Sequence, residues 1–283
     1  MKRLRISAIS YLNTAPLMWD FEHGDVGSAF DISYTIPSRC AADLRDGLAD
    51  IGIIPAAAYA SIPDLAIIPG VAIASRQAVR SILLVSKLPL DSTSLDKIKT
   101  VALDDSSMTS VALTKILFTK WYGGERMYTA AAPDIETMLE QNDAALVIGD
   151  PALKIDRSRL QTLDLAEEWI RFTGQPFVFA FWAVRKAALQ DAPPELDLAA
   201  IFQDSRDHGL APENLHRISK RWACRLNLDE SDVKSYLTYN IHYQLDVACL
   251  AGLRLFYRYA EECGALPPAP ALRFLDAAKP AVI

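Results

Sequence analysis

The alternation of short apolar segments with helix-forming ones constrains this chain most, because it runs through the first third and then begins again. Apolar runs at 4–9, 30–36, 50–54, 65–69 and 79–86 read as strands, with helices at 38–47 and 55–61 between them. The pattern then restarts. Strands at 100–103, 127–131, 144–148 and 160–163 flank helices at 109–121, 134–141 and 165–172, and a long apolar strand follows at 176–184. Strands separated by helices imply mostly parallel sheets covered on both faces. Two such units predict an α/β protein of two lobes with a ligand cleft between them. Past 184 the chain reads as helix, interrupted at Pro193-Pro194, Gly209 and Asn227, with no sheet of its own. These helices are expected to pack on lobe 1, which then comprises 1–88 and 184–283, leaving 89–183 as lobe 2. The proline-bearing tail at 265–283 is expected to drape over the surface.

Composition narrows the class. Of 283 residues, 51% are hydrophobic and 23% charged, which describes a globular chain with a large core rather than a disordered one. A net charge of −6 argues against nucleic acid, which needs a basic stripe. Arg217, Lys220, Arg221 and Arg225 cluster at helical spacing and read as one solvated face. Cys40, Cys224, Cys249 and Cys263 form no Cys-x-x-Cys pair, so a zinc ribbon or dithiol site is not expected, and a reducing compartment fits. Lys2, Arg3 and Arg5 precede an apolar run in the manner of a secretory signal, but Ser7, Ser10, Asn13 and Thr14 interrupt it. No run approaches membrane-spanning length. The expectation is a cytoplasmic protein that binds neither membrane nor nucleic acid.

Polar residues gather at the strand ends, where open α/β sheets hold their ligands. Tyr11, Asn13 and Thr14 lie between the first strand and a short helix that has Pro16 at its first turn. Ser106, Ser107, Thr109 and Ser110 surround the start of the helix at 109–121, where unpaired N–H groups and the dipole favour an anion. Capping alone is the simpler explanation at both turns, but a cap needs one hydroxyl and the second turn carries four. Arg80 and Ser81 open a largely apolar strand, and the arginine fork suits a carboxylate. Gly149 permits close backbone approach, and Asp150 either caps or orients a substrate hydroxyl. Glu167 and Glu168 occupy a helix first turn, with one of them a candidate for the cleft. No glycine-rich phosphate loop, nucleophile elbow or zinc-binding His pair is present, and His23, His208, His216 and His242 stand outside every polar turn. The cleft is therefore expected to bind a dianion and to offer few general bases.

Taken in order, several of these blocks resemble the chorismate dehydratase family, which opens the futalosine route to menaquinone. They are Ile6 to Leu17, Val79 to Leu84, Ala102 to Ser110, Ile148 to Leu153, and Glu167-Glu168-Trp169 with Gly174 to Phe179. The resemblance implies a type II periplasmic-binding-protein-like fold and a lyase that dehydrates chorismate, a small dicarboxylate, to 3-[(1-carboxyvinyl)oxy]benzoate. It implies no cofactor and no metal. It makes Asn13 the catalytic residue and Tyr11, Thr14, Arg80, Ser81, Ser106, Ser107, Thr109, Ser110, Gly149, Asp150 and Glu168 the substrate-binding set. With no histidine at hand, the substrate's own enolpyruvyl carboxylate is expected to remove the ring proton. The rivals are the dihydroxynaphthoate synthase of the same route, for which a cleft histidine is expected, and a non-catalytic solute-binding protein.

Overall fold

The structure is a computed structural model that describes residues 3–90, 95–190 and 196–275. It contains two five-stranded sheets. The first has the order β2-β1-β3-β10-β4 and is built from β1 (Leu4–Ile9), β2 (Phe30–Thr35), β3 (Ile51–Pro55), β4 (Leu65–Ser75) and β10 (Phe177–Arg185). The second, β7-β6-β8-β5-β9, is built from β5 (Ile82–Ser86), β6 (Thr100–Asp104), β7 (Met127–Ala131), β8 (Ala144–Ile148) and β9 (Gln161–Asp164). β1 pairs in parallel with β2 from Leu4–Phe30 to Ile9–Thr35, and β6 in parallel with β7 from Thr100–Met127 to Asp104–Ala131.

The sheets are mixed, not mostly parallel. β10 runs antiparallel to both β3 and β4, and β5 antiparallel to both β8 and β9. The reason lies in where these strands come from. Each enters from the opposite lobe, starting at the cleft edge where the parallel strands finish, so it must run back the other way. The same pairings correct the expected lobe limits. β5 belongs to the second sheet and β10 to the first, so the chain changes sheet ahead of 88 and 183, before each of these strands.

Asp164, at the end of β9, ties the first crossing together. Its carboxylate accepts from the N–H groups of Val79 at 3.1 Å and Arg80 at 2.6 Å while also capping the helix Leu165–Thr173. Arg80 sits there with φ of 65°, the left-handed region.

The C-terminal helices cover the first sheet, as expected. Helix Leu198–Leu210 lies on the 3-10 segment Leu12–Met18 so closely that a Cβ on Gly209 would stand 2.0 Å from the Pro16 carbonyl oxygen. Ser205 fastens the contact, donating to the Leu17 carbonyl at 2.9 Å and accepting from the Asp20 N–H at 3.0 Å. The tail is not merely draped. Ile67 donates to the Arg273 carbonyl at 2.7 Å and accepts from Leu275 at 2.8 Å, so the tail extends the β4 edge, and residues 276–283 lie outside the described residues. One apolar cluster runs through both lobes and includes the fully buried Trp169, Phe177, Phe181 and Trp182. Among the described residues no helix is long and apolar enough to cross a membrane.

Candidate active site

The carboxyl ends of β1 and β3 and the start of β10 face the end of β8, the start of β5 and the N-terminus of helix Thr109–Leu117 across a cavity of about 50 Å³. Ile9, Ile73, Ile82, Met108, Ile148 and Phe179 give it apolar walls suited to a ring, and Tyr11, Asn13, Ser107, Thr109 and Ser110 supply its polar side chains. Pockets that hold small molecules usually measure about 300–1,000 Å³, so the two lobes stand closed.

Direct bonds hold them shut. Leu12 N–H donates to Asp150 Oδ1 at 3.0 Å, and Ser38 N–H to the Ser106 carbonyl at 3.1 Å. The Thr109 hydroxyl accepts from Ala57 N–H and donates to the Phe179 carbonyl, each at 3.1 Å. The Tyr11 ring lies close against Gly149, whose φ is +64° and whose missing Cβ would fall 2.7 Å from the ring.

Behind Asn13 stands the hydroxyl of Tyr236, near enough for the amide to favour charge on it, and that hydroxyl donates to Ser81 Oγ at 2.8 Å. Tyr236 is 2% exposed, and burial holds its hydroxyl well above the usual range, so it stays protonated. Tyr236 has no local sequence signal. It arrives from the turn Tyr236–Asn240, in the helical third of the chain.

Of the residues expected at the site, the structure brings Tyr11, Asn13, Ser107, Thr109, Ser110 and Gly149 to the cavity wall and leaves the other six off it. Ser81 stands behind Asn13 as its support through Tyr236. Ser106 is buried behind Tyr11, bonded to the Asp104 carboxylate. Asp150 closes the lobes rather than facing a ligand. Thr14 faces a separate pocket of about 200 Å³, which Arg221 and Arg225 also line. That pocket is walled by first-sheet elements and helix Pro212–Leu226 alone. Arg80 is not among the wall residues, and its guanidinium makes no ion pair among the described residues. Glu168 is buried and engaged by Tyr122 and Arg171, off the cavity wall. The apolar walls, Met108 and Phe179 above all, were not among the sequence expectations.

No histidine lines the cavity among the described residues. His242, Asp246 and Cys249 lie close enough together to share a metal ion, but off the cavity wall. Arg76 pairs with Asp246, and burial pushes the Cys249 thiol up to about 12, so the set is poorly disposed toward a cation.

Asp150 carries a pH prediction. Burial raises its carboxyl to about 6, against the Leu12 N–H, Arg225 and Lys154, which favour the charged form. A carboxyl raised in the folded state binds its proton more tightly there. Stability is then fullest below its unfolded value and falls as pH rises toward 6, by up to about 3 kcal/mol in all. Asp150→Asn keeps an oxygen for Leu12 and removes the titration. Melting curves across pH 4–8 are therefore expected to lose that decline, leaving the variant more stable than the wild type at pH 7–8. A decline of equal size in both proteins would place the titrating group elsewhere.

Two sheets joined by crossing strands and closing on a cleft define the binding-protein class of fold, and solved structures agree. A protein of Archaeoglobus fulgidus, AF1704, matches with a TM-score of 0.73 at 18% identity, over 93% of this chain and 98% of its own. The periplasmic aliphatic sulphonate binding protein SsuA of Escherichia coli matches with a TM-score of 0.68 at 16% identity, over 99% and 94%. The sequence narrows the class further. A family model described as menaquinone biosynthesis matches residues 4–262, and the chain belongs to that family. The chorismate dehydratase of Thermus thermophilus is 29% identical over 278 residues, 92% of this chain and 94% of the relative.

Proposed function

We propose that this protein is a chorismate dehydratase, a lyase that removes water from chorismate to give 3-[(1-carboxyvinyl)oxy]benzoate in the cytoplasm. The observation that carries the reading is the cleft itself. A flat apolar slot is ringed by hydroxyls, by the Asn13 amide and by the N-terminus of the helix Thr109–Leu117. That lining matches a cyclic dicarboxylate, with carboxylates accepting from N–H and O–H donors and the ring held between Ile and Phe side chains. The family and the Thermus thermophilus relative support the same choice. Four free cysteines agree with a reducing compartment.

The lobes open to admit substrate and close to exclude water, with the two crossings as hinges. Asn13, backed by Tyr236, donates an N–H to the enolpyruvyl carboxylate and aims it at the ring proton. No histidine or carboxylate side chain lines the cavity among the described residues, so the substrate's own carboxylate serves as base. Loss of the proton and the hydroxyl then makes the ring aromatic. The absence of a cavity histidine also favours this reading over the dihydroxynaphthoate synthase. The test is to incubate purified protein with chorismate and follow mass. Appearance of an aromatic product lighter by one water is expected. Chorismate returned unchanged beside a tightly bound complex would favour a solute-binding protein.

A further inference from the structure

We propose that the pocket bordered by Thr14, Arg221 and Arg225 is a second binding site, separate from the cleft, for a small aromatic carboxylate. It does not rest on the dehydratase reading, because it concerns binding to one lobe and not turnover.

Arg217, Arg221 and Arg225 follow one another at intervals of four along helix Pro212–Leu226, a spacing that puts all three on one face. In the sequence that face reads as merely solvated. The structure gives it walls. Arg221 and Arg225 border a cavity of about 200 Å³ whose apolar surfaces include Met18, Tyr34 and Trp222. Pockets for drug-sized molecules measure about 300–1,000 Å³, so this one suits a single ring. Met18 is 1% exposed and Trp222 8%, so both are anchored in the core and offer fixed surfaces.

The charges in the pocket do not cancel. Arg221 pairs with Glu22 at 3.3 Å, and the Tyr34 hydroxyl donates to the same carboxylate. Arg225 makes no ion pair among the described residues. Its guanidinium stacks over the Trp222 ring, 4.4 Å from the centroid, and donates to the Ser10 hydroxyl at a long 3.4 Å. Asp150, which also senses this arginine, is held by the Leu12 N–H in the contact between the lobes. One positive charge is thus left over at a largely apolar pocket, and the indole already orients its fork. A carboxylate on a flat ring meets both demands. Its oxygens accept from the guanidinium N–H groups, and its ring lies against Met18 and Tyr34. Arg217, stacked over Trp19 at 5.0 Å, adds to the positive field.

The pocket and the cleft share Ile9 and Tyr11 as a common wall. All the residues that line the pocket belong to the first lobe, so it persists whether the lobes are open or shut. A ring acid is therefore held beside the cleft even while the cleft is closed.

The probe is benzoate, titrated by calorimetry at low salt and followed by fluorine NMR on protein labelled with 5-fluorotryptophan. The chain has five tryptophans, and Trp222→Phe assigns the signal that matters. Saturable binding that shifts the Trp222 signal is expected. Arg225→Gln removes an exposed charge and leaves the core intact. It is expected to weaken binding about 10–100-fold, the worth of a hydrogen bond to a charged group. Ser10→Asp, which sets a carboxylate beside Arg225, is expected to weaken it as much. Benzamide, which lacks the charge, and acetate, which lacks the ring, are expected to bind far more weakly than benzoate. Asn13→Asp puts a like charge in the cleft and is expected to leave benzoate binding in place. Benzoate that does not saturate, or benzamide that binds as tightly, overturns the proposal. So does binding that survives Arg225→Gln and is lost in Asn13→Asp, which would put benzoate in the cleft. Failure of the protein to dehydrate chorismate would overturn the dehydratase reading and leave these results as they stand.

Discussion

Asn13→Ala is expected to lower turnover of chorismate by about 10²–10³-fold, the usual cost of removing one positioned donor from a closed site. Folding is expected to suffer far less. The Tyr236 hydroxyl loses the amide but keeps Ser81 Oγ at 2.8 Å, so the penalty is about 1–2 kcal/mol. The separation between the two effects is the informative part. Thermal melting and kinetics on the same preparation measure both. A variant with wild-type turnover would reduce Asn13 to a cap of the turn it sits in. A large fall in melting temperature would mean that Asn13 chiefly stabilises the buried Tyr236. Tyr236→Phe supplies the control. It leaves Asn13 in place but unoriented, and its turnover is expected to fall between those of Asn13→Ala and the wild type.

Gly149→Ala is the other large effect. A Cβ there would stand 2.7–2.9 Å from three atoms of the Tyr11 ring, and φ of +64° is unfavourable for any residue with a Cβ. Tyr11 cannot swing clear cheaply, because its backbone opens the turn that carries Asn13, which the Leu12 N–H ties to Asp150 at 3.0 Å. The added methyl therefore pushes the turn away from the second lobe. Overpacking and backbone strain together are expected to cost about 1–3 kcal/mol. A misplacement of about 1 Å at the reacting groups costs on the order of 10²-fold in rate. We expect both changes together, with kcat falling more than KM rises. Unaltered kinetics would show that the ring-on-backbone contact is not kept in the reacting state.

Much of this was legible in the sequence, and the failures share a cause. The strand limits of β1, β7 and β8 follow from apolar runs bounded by polar residues, and the structure keeps them unchanged. The strand expected at 65–69 is only the first half of β4. In the structure Gly70 adopts φ of +80°, and the strand continues through a bulge against β10 to Ser75. The turn at 10–16 and the hydroxyl-rich helix start were visible because their polar residues are neighbours in sequence. Arg80 was expected as a waiting fork because it stands ahead of an apolar run, and the structure leaves it off the cavity wall. Its left-handed backbone is imposed by Asp164, far along the chain, which nothing local announces. Tyr236 escaped for a related reason, because it arrives by tertiary packing.

The position of β10 in the first sheet bears on how the protein is made. During synthesis β1 to β4 leave the ribosome long before β10, yet β10 is the strand that lies between β3 and β4. Until about residue 185 has emerged, β3 and β4 present open edges that nothing nearby can fill. The second sheet has the opposite problem. It must hold β5 between β8 and β9 although β5 is made first. The second sheet closes within one contiguous stretch, 82–164, but the first cannot be completed until β10 arrives, and pairings of such long separation close slowly. The nascent chain therefore carries unpaired strand edges through most of its translation, a period in which its partners are other chains or chaperones and not itself.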